Sequence, residues 1–381
     1  MLAEAPDYTG IDRDIVGLEA PGAPRFGFGL SPCRGVYHRP AGATPRIAFV
    51  ATHYNLDFGE HYLGPHLARR GFGFLGWNTR YCGREAHFLL DRALVDVGVA
   101  VDWLREHGAE VVVLLGNSGG GSLMAAYQAQ SAQPVIRPPY GMELAPGLDD
   151  LAPGDLYVSV AAHPGRPEVL TGWMDPAVVD ERDPLRSDPD LDMYDPRHGP
   201  PYAPEFVARY REAQRARNRR ITGWAEAELE RVLAAGRSDG VFTLQRTWAD
   251  LRFLDPALDP SDRPTPACYR GDPETTNRGV DGLGTLNTLR TWLSMWSLDE
   301  SQCRSAEHLG AIAVPALVVQ ATMDSGVFPS DARAILDGLA AGDKRLVDMP
   351  GDHYFRGVAG TPRGDVAELI SEWVSERVGD P

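Results

Sequence analysis

Three side chains in this 381-residue sequence are of the types that build a nucleophilic relay: Ser118, Asp324 and His353. Ser118 stands in "VVVLLGNSGGGSLMAAYQ" (111–128), where an apolar run gives way to a helical pattern. The stretch Gly116-Asn117-Ser118-Gly119-Gly120 has the form G-x-S-x-G. That form suits a sharp strand-to-helix turn that lifts a serine Oγ above a sheet edge, with small neighbours because larger ones would clash. A serine hydroxyl is a weak nucleophile at its free pKa, so it needs an adjacent base, and the base needs an orienting carboxylate. "PALVVQATMDSGVFP" (315–329) supplies Asp324 at the end of an apolar run, and "MPGDHYF" (349–355) supplies His353 in the loop after the next one. Asp352, beside His353, competes for the acid role, and the strand-end position favours Asp324.

Two rival chemistries of glycine-rich loops fail here. A P-loop needs G-x-x-x-x-G-K-[ST], and "GNSGGGSL" has no lysine; Lys344 is the one lysine in the chain. A dinucleotide loop needs G-x-G-x-x-G between a strand and a helix. The literal match "GFGFLG" (71–76) ends a helix and enters a strand, the reverse context. The plainest alternative for Ser118 is a turn serine capping the helix that follows.

The elements that must position these groups follow a strand–helix rhythm. "RFGFGLSPCRGVYHRP" (25–40) reads as one or two short strands, "RIAFVATH" (46–53) and "FGFLGWN" (72–78) as buried strands, and "EHYLGPHLARRG" (60–71) as a short helix between them. Residues 86–108 read as a long helix, 110–116 as a strand, 120–132 as a helix and 155–165 as a fourth core strand. The alternation resumes at 314–324 and closes with a helix over 364–378. Apolar strands alternating with amphipathic helices predict an α/β fold with a mostly parallel sheet covered on both faces. Between 174 and 308 the rhythm breaks: prolines crowd 180–204, a helix or helical pair occupies 205–236, and a helical segment spans 282–301. The expected organisation is a core of residues 1–173 and 309–381 with a lid or cap insertion at 174–308.

By these residues the chain resembles the α/β-hydrolase superfamily: "GNSGG", "VVQATMDSGVFP", "GDHYF" and, after the first core strand, "ATHYNLDFGEHYLGPHLARRGF" (51–72). The resemblance implies the order Ser118, Asp324, His353 for nucleophile, acid and base. It also places His53 at the histidine of the family's His-Gly-x oxyanion region, with Tyr54 in place of the usual glycine. By that position Asn55 gives one oxyanion amide, with Tyr54 the fallback, and Gly119 gives the other. The insertion sits where the superfamily carries its lid, and its own residues point to no particular family.

Lid residues commonly line a substrate pocket. Trp292, Met295 and Trp296 are spaced to share a helix face, either lining that pocket or packing the lid core. Arg80 follows a strand on the catalytic edge and is either a holder of a substrate carboxylate or, more ordinarily, a partner in a structural salt bridge. His53, His61, His66 and His163 read as structural. "HYLGPH" lacks zinc spacing, so no metal and no cofactor are expected.

The formal charge of −16 disfavours nucleic acid and anionic membrane as partners, and the arginines between 209 and 220 are interspersed with glutamate, as on a solvated face or a subunit contact. No run approaches the roughly 18–20 apolar residues of a membrane span. The four cysteines show no C-x-x-C spacing, and the N-terminus has no signal-peptide pattern, so a cytoplasmic protein is expected. The expectation is a serine hydrolase cleaving a carboxylic ester, lactone or thioester of a small apolar or aromatic substrate. Acyl transfer or C–C bond hydrolysis on the same triad is the alternative, then a non-catalytic scaffold. The partner is a small-molecule substrate, with a homodimer through the lid left open.

Overall fold

The computed structural model describes residues 7–22 and 33–381. The part of the expected 25–40 strand before Cys33 lies outside the described residues. The chain begins with an antiparallel pair, β1 (Ile11–Leu18) and β2 (Cys33–Pro40). Then come β3 (Ile47–Thr52), α1 (Gly64–Ala68), β4 (Gly73–Asn78), α2 (Leu90–Glu106), β5 (Val111–Asn117), α3 (Gly120–Ala132), β6 (Leu156–Val160) and α4 (Arg166–Trp173). The intervening segment holds α5 (Pro204–Ala234), β7 (Val241–Thr243), α6 (Pro273–Asn277), β8 (Leu286–Thr288) and α7 (Leu289–Thr291). The chain ends with β9 (Ala316–Ala321), α8 (Pro329–Gly338), β10 (Lys344–Met349) and α9 (Pro362–Val378).

Eight strands form one sheet in the order β1-β2-β4-β3-β5-β6-β9-β10, and every pairing from β4 to β10 is parallel. The central strands are apolar throughout because helices cover both faces. Along β3 the period-two alternation is complete: Ile47, Phe49 and Ala51 enter one core cluster with α9, while Ala48 and Val50 enter the other with α2 and α3. The C-terminal ends of β5, β9 and β10 therefore share one edge, and the loops after them carry Ser118, Asp324 and His353.

Between α4 and β9 the structure departs from the expected pattern in one place. Of the helix or helical pair expected over 205–236, it forms the single 31-residue helix α5. Its charges are mostly answered within this segment: Arg211 by Asp250 at 2.7 Å, and Arg217 and Arg220 by Glu181 at 2.6 and 3.1 Å. Around 282–301 a helix starts only at Leu289, where Thr288 Oγ1 accepts from Thr291 N–H at 3.1 Å. Residues 286–288 before it pair with β7 as a short antiparallel ladder, and residues 292–296 after it form a π-turn. The extended stretch is taken up by pairing, which outweighs the weak helical periodicity there. Among the described residues no helix is long and apolar enough to cross a membrane.

Arg80 belongs to the fold rather than to a substrate. Its guanidinium forks onto Asp96 of α2, with contacts of 2.6 and 2.9 Å, and its backbone N–H donates to the same carboxylate at 2.8 Å. The substrate-binding reading of Arg80 is corrected accordingly, because both edges of the pair are buried and occupied. Burial pushes the Asp96 carboxyl up from its ordinary value while Arg80 pulls it down. Removing one partner leaves a buried charge unanswered. Arg80→Met should therefore lower unfolding free energy by about 3–5 kcal/mol in urea titrations, and adding Asp96→Leu should recover part of that loss. A single variant as stable as wild type would refute this account.

Candidate active site

Ser118 leaves β5 at φ 56°, the left-handed region that side chains other than glycine enter at a cost of about 1–2 kcal/mol. The strain is held from both sides. Ser118 N–H donates to the carbonyls of Val160 and Ala161, each at 3.1 Å, and its own carbonyl accepts from His163 N–H at 3.0 Å. Asn117 Nδ2 also donates to the Val160 carbonyl, at 2.8 Å. Two glycines make the turn sterically feasible. A Cβ on Gly116 would stand 2.5 Å from Gly121 Cα, and one on Gly120 would overlap the Thr52 carbonyl oxygen. Strand, turn and α3 are thus pressed against the end of β3.

Asp324 lies three residues beyond β9, and its carboxylate is fully used. Oδ2 accepts from His353 Nδ1 at 2.6 Å; Oδ1 accepts from Gly326 N–H at 2.9 Å, Val327 N–H at 3.0 Å and the Tyr269 hydroxyl at 2.9 Å. The short bond to Nδ1 assigns the proton of a neutral His353 to that nitrogen and leaves Nε2 as the basic lone pair. Asp352, the sequence competitor, is spent on its own loop: it accepts from Tyr354 N–H at 2.8 Å, Arg356 N–H at 2.9 Å and Arg356 Nε at 3.1 Å. Both Ser118 and His353 are buried, at 7% and 4% exposure. Among the described residues no acceptor holds the Ser118 hydroxyl, and catalytic hydrogen bonds often close only around substrate.

The histidines around the turn are neutral for physical reasons. His53 Nδ1 accepts from the amides of Asn55 and Leu56, each at 3.2 Å, so its proton is on Nε2. That nitrogen stands 2.8 Å from where a Cβ of Gly119 would be. Burial, then the Arg166 cation, holds His53 well below the usual imidazole range. His163 is lowered by burial first, then by His353 and Arg166; its ring lies 6.1 Å from that of His353. His61 is brought down to about 4 by burial and bonds Asn117 Oδ1 through Nε2 at 3.1 Å. His66 sits in α1, away from the turn.

These contacts also change the oxyanion expectation. The Asn55 amide is engaged with His53, so Asn55 is withdrawn from that role. Of the two amides weighed from the sequence, Tyr54 N–H has no acceptor among the described residues. Gly119, at the start of α3, presents an amide of the first helical turn, which has no intrahelical acceptor.

The expected aromatic cluster divides. Trp292 is wholly buried, packs on Phe242 and donates Nε1–H to Thr222 Oγ1 at 3.0 Å, so it packs the segment between α4 and β9. Met295 is likewise wholly buried. Trp296 lies beside Arg166, its ring centre 4.6 Å from the guanidinium.

Two residues near the site escaped the sequence reading. Tyr269 comes from the irregular segment before α6, whose path no local pattern reveals. Its hydroxyl lies 2.9 Å from both Asp324 Oδ1 and His353 Nδ1. Arg166 opens α4 immediately after "HPG", a place where a strand on the catalytic edge turns into a helix; that position was the available signal. Among the described residues no cluster of three or more His, Cys, Asp or Glu side chains is arranged to hold a metal ion.

Neither a protein-family model nor a curated protein matches the chain. Solved structures do. The alpha/beta hydrolase GrgF from Penicillium sp. sh18 is similar at 12% identity, with a TM-score of 0.51 and coverage of 96% of this chain and 97% of that one. The DcsB complex with its substrate analogue is similar at 13% identity and a TM-score of 0.52, covering 91% and 94%. The esterase domain of a Rhodothermus marinus protein aligns at 12% identity and a TM-score of 0.47, covering 96% and 98%. At such identities the likeness concerns the fold.

The buried neutral histidines give stability a definite pH dependence. An unfolded histidine binds a proton near 6.5, whereas His61 resists until about 4. Its contribution is thus complete above pH 6.5 and declines as pH falls from there toward 4; His53 and His163 act in the same sense. Asp331, pushed up to about 6 by burial, opposes them, because the folded chain protonates it first. With His38, His66 and His308 lowered by burial as well, the histidines should outweigh the raised carboxyls, and unfolding free energy should fall between pH 7 and 5.5. Urea titrations across that range check it, and a flat or rising profile would contradict the assignment.

Proposed function

From the premise that this chain has the α/β-hydrolase fold, we propose that it is a serine hydrolase acting on a carboxylic ester, with a lactone or thioester as chemical equivalents. One observation carries the reading. Ser118 is held at φ 56° on the edge of β5, and the loops after β9 and β10 deliver an Asp324–His353 pair bonded at 2.6 Å to the same edge.

In the proposed reaction, Ser118 Oγ attacks the carbonyl carbon while His353 Nε2 takes its proton. Asp324 fixes the imidazole tautomer and stabilises the imidazolium that forms. The tetrahedral oxyanion rests on the amides of Gly119 and Tyr54, donors typically worth about 3 kcal/mol each in the transition state. Collapse expels the alcohol, which takes the proton from His353. Water then repeats the sequence on the acyl-enzyme. Burial of the relay strengthens each of these charge interactions. Tyr269 donates to Asp324 Oδ1 beside His353 Nδ1 and so is a positioning residue. The four cysteines are free thiols, in keeping with a reducing, cytoplasmic setting.

Ser118→Ala should abolish turnover of a chromogenic short-chain ester and labelling by a fluorophosphonate probe while leaving the circular dichroism spectrum intact; undiminished turnover would end the proposal. Asp324→Asn keeps the shape but favours the wrong tautomer, so kcat should fall by about 10³–10⁴-fold. Tyr269→Phe removes one charge-assisted hydrogen bond from Asp324 and should lower kcat about tenfold with KM little changed.

A further inference from the structure

Arg166 is 2% exposed, and among the described residues no carboxylate answers its guanidinium. Among the described residues nothing accepts a hydrogen bond from it; Nε and Nη2 are buried without a partner. Other buried arginines of the chain are answered. Arg217 forks onto Glu181 at 2.6 and 2.9 Å, Arg263 donates to the carbonyls of Leu258 and Asp255 at 2.7 and 3.1 Å, and Arg290 donates to the Tyr140 carbonyl at 2.9 Å. The groups nearest in charge to Arg166 are the Tyr54 phenol and the Cys303 thiol, and burial pushes both up, the thiol to about 12, so both are neutral. Burial lowers Arg166 itself to about 10, which still leaves it a cation at neutral pH.

The position of this cation is fixed. Its backbone N–H donates to the Cys303 carbonyl at 2.8 Å at the start of α4. Its guanidinium lies 4.6 Å from the Trp296 ring centre and 5.3 Å from that of Tyr54. Cation–π contacts hold a guanidinium in place without neutralising it. Nη1 stands 2.8 Å from where a Cβ of Gly119 would be, the same point that His53 Nε2 approaches. The cation is therefore beside the residue that follows Ser118. An unpaired buried charge is costly to a fold, and a planar guanidinium with free N–H edges matches a carboxylate bidentately.

We infer that Arg166 is an anion-recognition residue and that the substrate is an ester bearing a free carboxylate a few atoms from the scissile carbonyl. This rests on the serine-hydrolase reading above and narrows it: the small apolar substrate expected from the sequence becomes an amphiphilic one, its carboxylate on Arg166 and its apolar part against aromatic rings such as Trp296. The carboxylate neutralises the cation on binding, and the reaction at Ser118 proceeds as already described.

The test compares two esters of matched shape, mono-4-nitrophenyl glutarate and 4-nitrophenyl valerate. Wild type should favour the glutarate ester in kcat/KM by at least about tenfold, and in Arg166→Met the glutarate-to-valerate ratio should fall by about 100-fold or more. Arg166→Lys should retain part of the preference. The same Met variant should unfold at a higher urea concentration than wild type, since it removes an unanswered buried cation; a merely structural arginine would give the reverse. Glutarate itself should raise the melting temperature of Ser118→Ala and fail to raise that of the Ser118→Ala/Arg166→Met double variant, a readout that needs no turnover. Preference for the valerate ester in wild type overturns the inference. So does an unchanged ratio in Arg166→Met, which would make Arg166 a support of the oxyanion for any ester. Fluorophosphonate labelling in parallel separates the two levels: labelled enzyme without anionic preference removes the role of Arg166 alone, while unlabelled, inactive wild type removes the hydrolase reading.

Discussion

Everything at this site depends on how closely the end of β3 approaches the start of α3. Gly120 lies so near the Thr52 carbonyl that no side chain fits; a Cβ on Gly116 would meet Gly121 Cα, and one on Gly121 would meet Ala162. That approach forces β5 to turn within one residue, and Ser118 takes the strained conformation that results. The strain is affordable because β5 lies between two parallel neighbours and Ser118 N–H and C=O are both answered by the loop after β6. The same compression decides what surrounds Ser118. With no Cβ on Gly119, His53 Nε2 and Arg166 Nη1 close on the point a Cβ would occupy, bringing two donors to the helix start.

A second constraint is the asymmetry of charge around the serine. Among the described residues Asp324 is the one carboxylate bonded to His353, and four donors saturate it: two amides, Tyr269 and His353. Saturation of that kind leaves Asp324 with nothing further to offer Arg166 or the other histidines. The remaining polar groups, His53 Nε2 and the Arg166 guanidinium, are donors without strong acceptors. Surroundings of this kind would favour negative charge, whether the oxyanion of the proposed reaction or a charge the substrate already carries.

Much of this was legible in the sequence because it depends on local pattern. The apolar runs of β3, β5, β6 and β9 announced a buried parallel sheet, and glycines flanking a serine announced the turn. The order Ser118, Asp324, His353 came from the family resemblance together with where strands end. Asp324 and His353 are 29 residues apart in sequence and bonded in space. What was not legible depends on contacts between distant segments. Asn55 looked like an oxyanion donor by position, yet its amide turns back onto His53, a local bond that spacing cannot reveal. Trp292 and Trp296 looked equivalent on a helical face, yet they separate into a packing role and a place beside Arg166. Arg80 and Arg166 both follow strands on the catalytic edge; only the location of Asp96 in α2 distinguishes the neutralised arginine from the unanswered one.

The segment between α4 and β9 then has a role beyond covering the sheet edge. It contributes Tyr269 to the acid and Trp296 to the cation, so its folding completes the electrostatics of residues that the sheet alone merely positions. Tyr269 is pressed against Gly326, two residues after Asp324, where a Cβ would collide with the phenol ring. Its hydroxyl therefore cannot be displaced along the Asp324 loop without moving the segment that carries it. Buried hydrogen bonds gain strength as water is excluded, and the same closure raises the cost of leaving Arg166 unpaired. A substrate carboxylate that entered would relieve that cost at the point where the segment and the sheet meet. Binding energy from a group remote from the reacting bond would thereby be directed at holding the carbonyl over Ser118, which is how specificity and rate become coupled in a single site.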